Sequence, residues 1–97
     1  MTNHYLDHLM GAYFNQDYDL YGETIEEVMD SYLSSEGADK ARGLIIDCAN
    51  FAKNHPDVEV TFDELYGFDF KPVRWGITAQ QFLDMIAARA SRYVQEN

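Results

Sequence analysis

Ninety-seven residues with 46% apolar content and a formal net charge of −10 suit one domain with a single modest core. Nine acids and no base fall in residues 1–39, against eight acids and seven bases in residues 40–97, so −9 of the −10 sits in the first 39 positions. That field repels phosphate backbones and anionic bilayers, so it speaks against direct nucleic-acid or membrane binding and for cations or basic proteins as partners.

No run reaches the ~18 apolar residues of a membrane span. The opening MTNHYLDHLM lacks the basic start and apolar stretch of a signal peptide. Cys48 stands alone and in the apolar register of a helix, as a small core residue in a reducing compartment does. A cytoplasmic location is expected.

The spacing of Leu6, Leu9, Met10 and Tyr13 predicts a first helix from His4 to about Asn15. Gly11 within it costs ~1 kcal/mol relative to Ala. QDYDLYGE, residues 16–23, breaks the period and reads as a loop. Thr24 and Glu27 fit a capping box that opens a second helix, whose stripe is Ile25, Val28, Met29, Tyr32 and Leu33 and whose stop is Gly37. A third helix is expected from a cap at Asp39 to Asn54, buried along Ala41, Leu44, Ile45, Cys48, Phe51 and Ala52 and ended by His55-Pro56.

Thr61 with Glu64 predicts another box, stapled by Val60 on Leu65, for a short helix that stops at Gly67; DVEVTF as a brief strand is the less favoured alternative. FDFKPVRWGI, residues 68–77, is expected to be irregular, with Pro72 and Gly76 as punctuation. Thr78 with Gln81, and Ile77 on Phe82, open a last helix through Leu83, Ile86, Ala90, Tyr93 and Val94. The expected fold is a small all-α bundle of four main helices plus a short one, in one domain over residues 1–97, with no repeat or linker.

On a helix that starts at Thr24, Glu26, Glu27 and Asp30 project about 150° from the apolar stripe, by the ~100° per residue of helical geometry. Glu23 falls on the same side, and Asp17 and Asp19 in the adjoining loop. First-turn acids complement the helix dipole and Glu27 has a capping role, but neither explains Asp17, Asp19 and Asp30 without a base nearby. Tyr18 and Tyr21 flank these acids, and Trp75 beside Arg74 sits in the irregular segment. Amphipathic rings among carboxylates are the anchors and rim of protein-binding surfaces.

A calcium loop is the rival reading. Counted from Asn15, oxygen ligands fall at positions 1, 3 (Asp17), 5 (Asp19), 9 (Glu23) and 12 (Glu26), as in an EF-hand. Leu20 stands at the sixth position, where the sharp turn needs Gly, and no second loop exists. His4 and His8 share a helix face but lack a third ligand. Gly-rich phosphate loops, Gly-x-Ser-x-Gly and Cys-x-x-Cys are all missing, so no catalytic residue, metal or cofactor is nominated.

AYFNQDYDLYGETIEEVMDSYL resembles the N-terminal motif of a family of small bacterial immunity proteins from contact-dependent growth inhibition systems. Tyr13, Phe14, Gln16, Asp17, Tyr18, Asp19, Gly22, Glu23 and Thr24 carry the likeness, which is dense over residues 11–33. It implies a cytosolic protein that binds and blocks the toxin domain of its own strain's cell-surface effector, often a nuclease; with the enzyme signatures missing, the chain itself is not expected to be an enzyme. Nuclease clefts are basic, so an acidic surface can occupy one as a phosphate mimic. The expected toxin-binding residues are Asp17, Asp19, Tyr21, Glu23, Glu26, Glu27, Asp30 and Trp75, with Tyr13 and Phe14 building the corner between the first two helices. The alternative function is an EF-hand-like calcium binder or a general regulatory interaction module.

Overall fold

A computed structural model of the chain describes residues 4–15, 20–68 and 70–96. Five α-helices run in order: α1 His4–Ala12, α2 Ile25–Glu36, α3 Ala38–Asn54, α4 Val58–Tyr66 and α5 Ala79–Glu96, with a 3₁₀ helix at Pro72–Trp75 before α5. Among the described residues there is no strand, and the all-α expectation holds. Long α3 and α5 lie against each other at the centre; α1 packs on α3, α2 packs on both, and α4 packs on α5.

The core follows the predicted stripes. Leu6 and Leu9 of α1, Val28, Met29 and Tyr32 of α2, Leu44 and Phe51 of α3, and Phe82, Leu83 and Ile86 of α5 are all sealed from solvent. Phe14 meets Phe70 and Phe82 edge-on at 5.3 and 5.1 Å, and Phe62 joins Phe82 at 5.7 Å. Edge-to-face pairs add about 0.5–1.5 kcal/mol each beyond burial, so the aromatic content serves mainly the interior.

The boundaries differ from expectation at three helix starts or ends. Helix α1 ends at Ala12, and the amides of Tyr13 and Phe14 both donate to the carbonyl of Leu9. This double closure turns both rings inward, and Tyr13 and Phe14 are buried. The third helix starts one residue before Asp39. Gly37, at φ 87°, closes α2 by donating to the Leu33 carbonyl and also opens α3. A side chain is strained at that φ, so one glycine serves two helices. Asp39 lies instead in the first turn and pairs with Arg42 at 3.0 Å.

The third correction is at α4. Thr61 does not cap it; Asp57 does, accepting from the Val60 amide at 3.2 Å, and the helix is underway by Val58. His55 ahead of Pro56 takes an extended backbone, so the chain turns there and offers Asp57 as the first available cap. The earlier start aligns Val58, Phe62 and Tyr66 toward the core, and leaves Val60 and Leu65 exposed, so the predicted staple does not form.

Two helix starts are satisfied by carboxylates distant in sequence. Asp47 of α3, only 8% exposed, accepts from the amides of Tyr5 and Leu6 at 2.8 and 3.1 Å. Glu59 of α4 accepts from Ala79 and Gln80 at 2.7 and 3.0 Å, beside the predicted Thr78–Gln81 box, which forms with both its hydrogen bonds. Free amides at a helix start need such partners, and a carboxylate there also meets the positive end of the dipole. Cys48 is buried as expected; desolvation, and then the Asp47 charge, push its thiol up to about 12.

Candidate partner-binding surface

The segment that opens α2 is built on two local devices. The Thr24 hydroxyl accepts from the Glu27 amide at 3.1 Å while the Glu27 carboxylate accepts from the Glu23 amide at 3.1 Å, so the predicted capping box is complete. Gly22 lies where a Cβ would collide with the side chain and backbone of Glu27, and only glycine allows this approach. The Ser31 hydroxyl donates to the Tyr21 carbonyl at 2.9 Å and ties the loop end back onto the helix.

With Ile25, Val28 and Met29 buried, Glu23, Glu26 and Glu27 are turned outward together. Glu26 lies in the field of Arg89 of α5 without an ion pair of its own. Asp30 shares the exposed side but is not an unbalanced charge. Arg89 of α5 donates through Nε and Nη2 to its two carboxylate oxygens at 2.9 and 2.8 Å. This hydrogen bonding raises the guanidinium pKa further, and the pair spans the α2–α5 boundary. The balancing base lies 59 positions away, beyond what a charge count over the first 39 residues can register.

Tyr21 is 39% exposed and its ring leans on Tyr13 at 4.7 Å, within the same corner. Trp75 belongs to a different element, the 3₁₀ helix, with its ring stacked on Phe70 at 6.3 Å. Asp17 and Asp19 lie outside the described residues. Of the expected residues, the structure therefore brings Glu23, Glu26, Glu27 and Asp30 onto one flank, with Tyr21 at its loop end.

Sequence reasoning missed the opposite wall of this flank. Ile25, Glu26 and Met29 of α2 face Met85, Ala88, Arg89 and Arg92 of α5 across a cleft of about 270 Å³. A second recess of about 160 Å³ continues from it, sharing Arg89 and Arg92 and bounded by Asp30, Tyr93 and Glu96. Met85, Arg89 and Arg92 recur at helical spacing beside the Phe82–Ile86 stripe, which is the signal that could have placed them on one side. Which helix they face is not written in that spacing.

No group of three His, Cys, Asp or Glu among the described residues could hold a metal ion, and no helix there is long and apolar enough to cross a membrane. His4 and His8 instead set their rings edge-on to Tyr5 and Tyr13.

By fold and charge this is a small acidic all-α protein that presents a carboxylate flank beside an interhelical cleft. A family model described as CdiI immunity protein matches residues 2–90 of the 97. The chain belongs to that family, whose role is neutralisation of a contact-dependent growth inhibition toxin. No curated protein and no solved structure matches it.

Proposed function

We propose that the protein neutralises its cognate toxin domain, a basic nuclease, by stoichiometric binding in the cytoplasm, with the acidic flank of α2 set into the toxin's phosphate-binding cleft. The observation that carries the reading is the one-sided, exposed display of Glu23, Glu26 and Glu27 at the start of α2. Carboxylates spaced along one helix can sit where a nuclease holds successive phosphates. Steered encounter reaches ~10⁸–10⁹ M⁻¹s⁻¹ at low salt, and speed matters when the free toxin is lethal. Close charge pairs across such an interface couple by ~1.5–7 kcal/mol.

Tyr21 is proposed as an aromatic contact at the rim of the flank, Trp75 as a separate contact on the 3₁₀ helix, and Asp17 and Asp19 as further toxin-binding carboxylates. Because Asp30 is tied to Arg89, its part is to hold the flank in place, and its replacement would confound contact with structure.

The test mixes the protein with the toxin domain encoded beside its gene, at low salt and at about 0.5 M salt, where screening reaches within a few ångströms. A complex that forms, inhibits the toxin and weakens with salt is expected. Glu23→Lys with Glu26→Lys should slow association severalfold or more and leave the fold intact. Absence of any complex would refute the function. A complex untouched by the double reversal would discard the α2 flank and leave immunity standing.

A further inference from the structure

The α2–α5 cleft carries more than the charge reading uses. Its floor is apolar, from Ile25, Met29 and Met85, and it stays open because exposed Ala88 places only a methyl group where a longer side chain would fill it. About 270 Å³ lies at the lower edge of the ~300–1,000 Å³ typical of small-molecule sites, a size suited to one or two inserted side chains. Thioether side chains adapt to what enters, as at many protein-docking surfaces.

The charges around the cleft select the occupant. Arg89 is engaged by Asp30, and Arg92 by Glu96 at 3.1 Å, so both bases on this wall are already neutralised. Glu26 on the facing wall forms no ion pair of its own and only adds to the field on Arg89, so three carboxylates (Glu26, Asp30, Glu96) stand against two guanidiniums around the cleft. The complement is an apolar side chain with a Lys or Arg next to it, the second reaching Glu26.

We infer that the toxin domain docks by inserting such an apolar side chain between α2 and α5, with an adjacent basic residue on Glu26. This rests on the immunity reading and gives the complex a component that salt does not screen. Electrostatics on the α2 flank then governs arrival, and the cleft governs departure. Among other exposed apolar side chains, Leu65 with Phe68 at the end of α4 is taken as the competing location, since Phe68 is 91% exposed.

The experiment measures affinity for the neighbouring-gene toxin domain at low and at about 0.5 M salt. Ala88→Trp and the milder Ala88→Leu fill the cleft from an exposed helix position, with far-UV circular dichroism and melting to verify the fold. The expected result is a loss of at least about tenfold with Ala88→Trp at both salts, a smaller loss with Ala88→Leu, and wild-type affinity for Ala88→Ser and Phe68→Asp. Glu26→Gln should weaken binding at low salt much more than at high salt. Wild-type affinity in a folded Ala88→Leu and Ala88→Trp would overturn the cleft while leaving immunity intact. Loss confined to Phe68→Asp would move the docking surface to α4. A wild-type protein that binds no toxin at all would overturn both readings together.

Discussion

Asp47 is the residue whose replacement most directly tests the account of the fold. Its carboxylate receives the amides of Tyr5 and Leu6, the first-turn donors of α1, and Leu6 is sealed from solvent. Removing a helix cap ordinarily costs about 0.5–2 kcal/mol. Here Asp47→Ala also strands a donor in the interior, worth about 1–3 kcal/mol more. A loss of about 1.5–5 kcal/mol follows, from a total that for domains of this kind is only about 5–15 kcal/mol. For a chain of 97 residues, at about 4–8 °C per kcal/mol, Tm should fall by roughly 6–40 °C. Asp47→Asn keeps one acceptor oxygen and gives up the charge, so about 1 kcal/mol and 4–8 °C are expected. Guanidinium titration and thermal melting followed at 222 nm read both variants. Hydrogen exchange should show the Tyr5 and Leu6 amides losing protection first. A loss under about 0.5 kcal/mol for Asp47→Ala would refute the claim that α1 is held by α3 through this carboxylate.

Four other outcomes can be checked with the same preparations. Tyr32→Phe should leave stability unchanged or raise it by up to about 1–3 kcal/mol, because the sealed Tyr32 hydroxyl has no partner among the described residues; a loss above 1 kcal/mol would show that it has one. Gly22→Ala should cost about 1–3 kcal/mol in denaturant titration, since the new methyl would push Glu27 out of the box that starts α2. Asp30→Asn should cost only about 0.2–1 kcal/mol, because the Asp30 and Arg89 side chains remain 54% and 33% exposed. Burial raises the Tyr32 hydroxyl to about 12 and the Cys48 thiol to about 12 from 9.0, and lifts Tyr66 as well. The folded chain then holds these protons more tightly than the unfolded one, so their contribution is complete below pH 9 and is lost as pH climbs from about 9 through 12. Melting temperature should decline over that window, and Cys48 should resist thiol reagents at pH 8 until the chain unfolds.

Helices whose apolar stripe and end signals agree were legible from sequence alone. Helix α2 shows this well, since Thr24, Glu27 and Gly37 delimit the same segment that Ile25, Val28, Met29, Tyr32 and Leu33 mark as buried. Helix α4 shows the opposite case. Its true cap, Asp57, competes with a Thr-x-x-Glu pattern four residues later, and the choice between them is made by tertiary packing of Phe62 and Tyr66 and by Glu59 reaching α5. Contacts of this kind leave no local pattern. The same holds for Asp47 on α1 and Arg89 on Asp30, each joining residues about 40 or 60 positions apart. Exposure of the α2 acids followed from helical periodicity, whereas the cleft beside them needs α5 in place, and periodicity says nothing about which helix becomes a neighbour.

The Asp30–Arg89 clasp also has a kinetic consequence. It joins the two walls of the recess at their rim, while buried Ile25, Met29 and Ile86 beneath set how far apart they stand. The half-exposed pair itself is worth only about 0.2–1 kcal/mol. A partner entering as proposed would therefore meet walls already held by the core, and its arrival would need no more than the breaking of one weak pair.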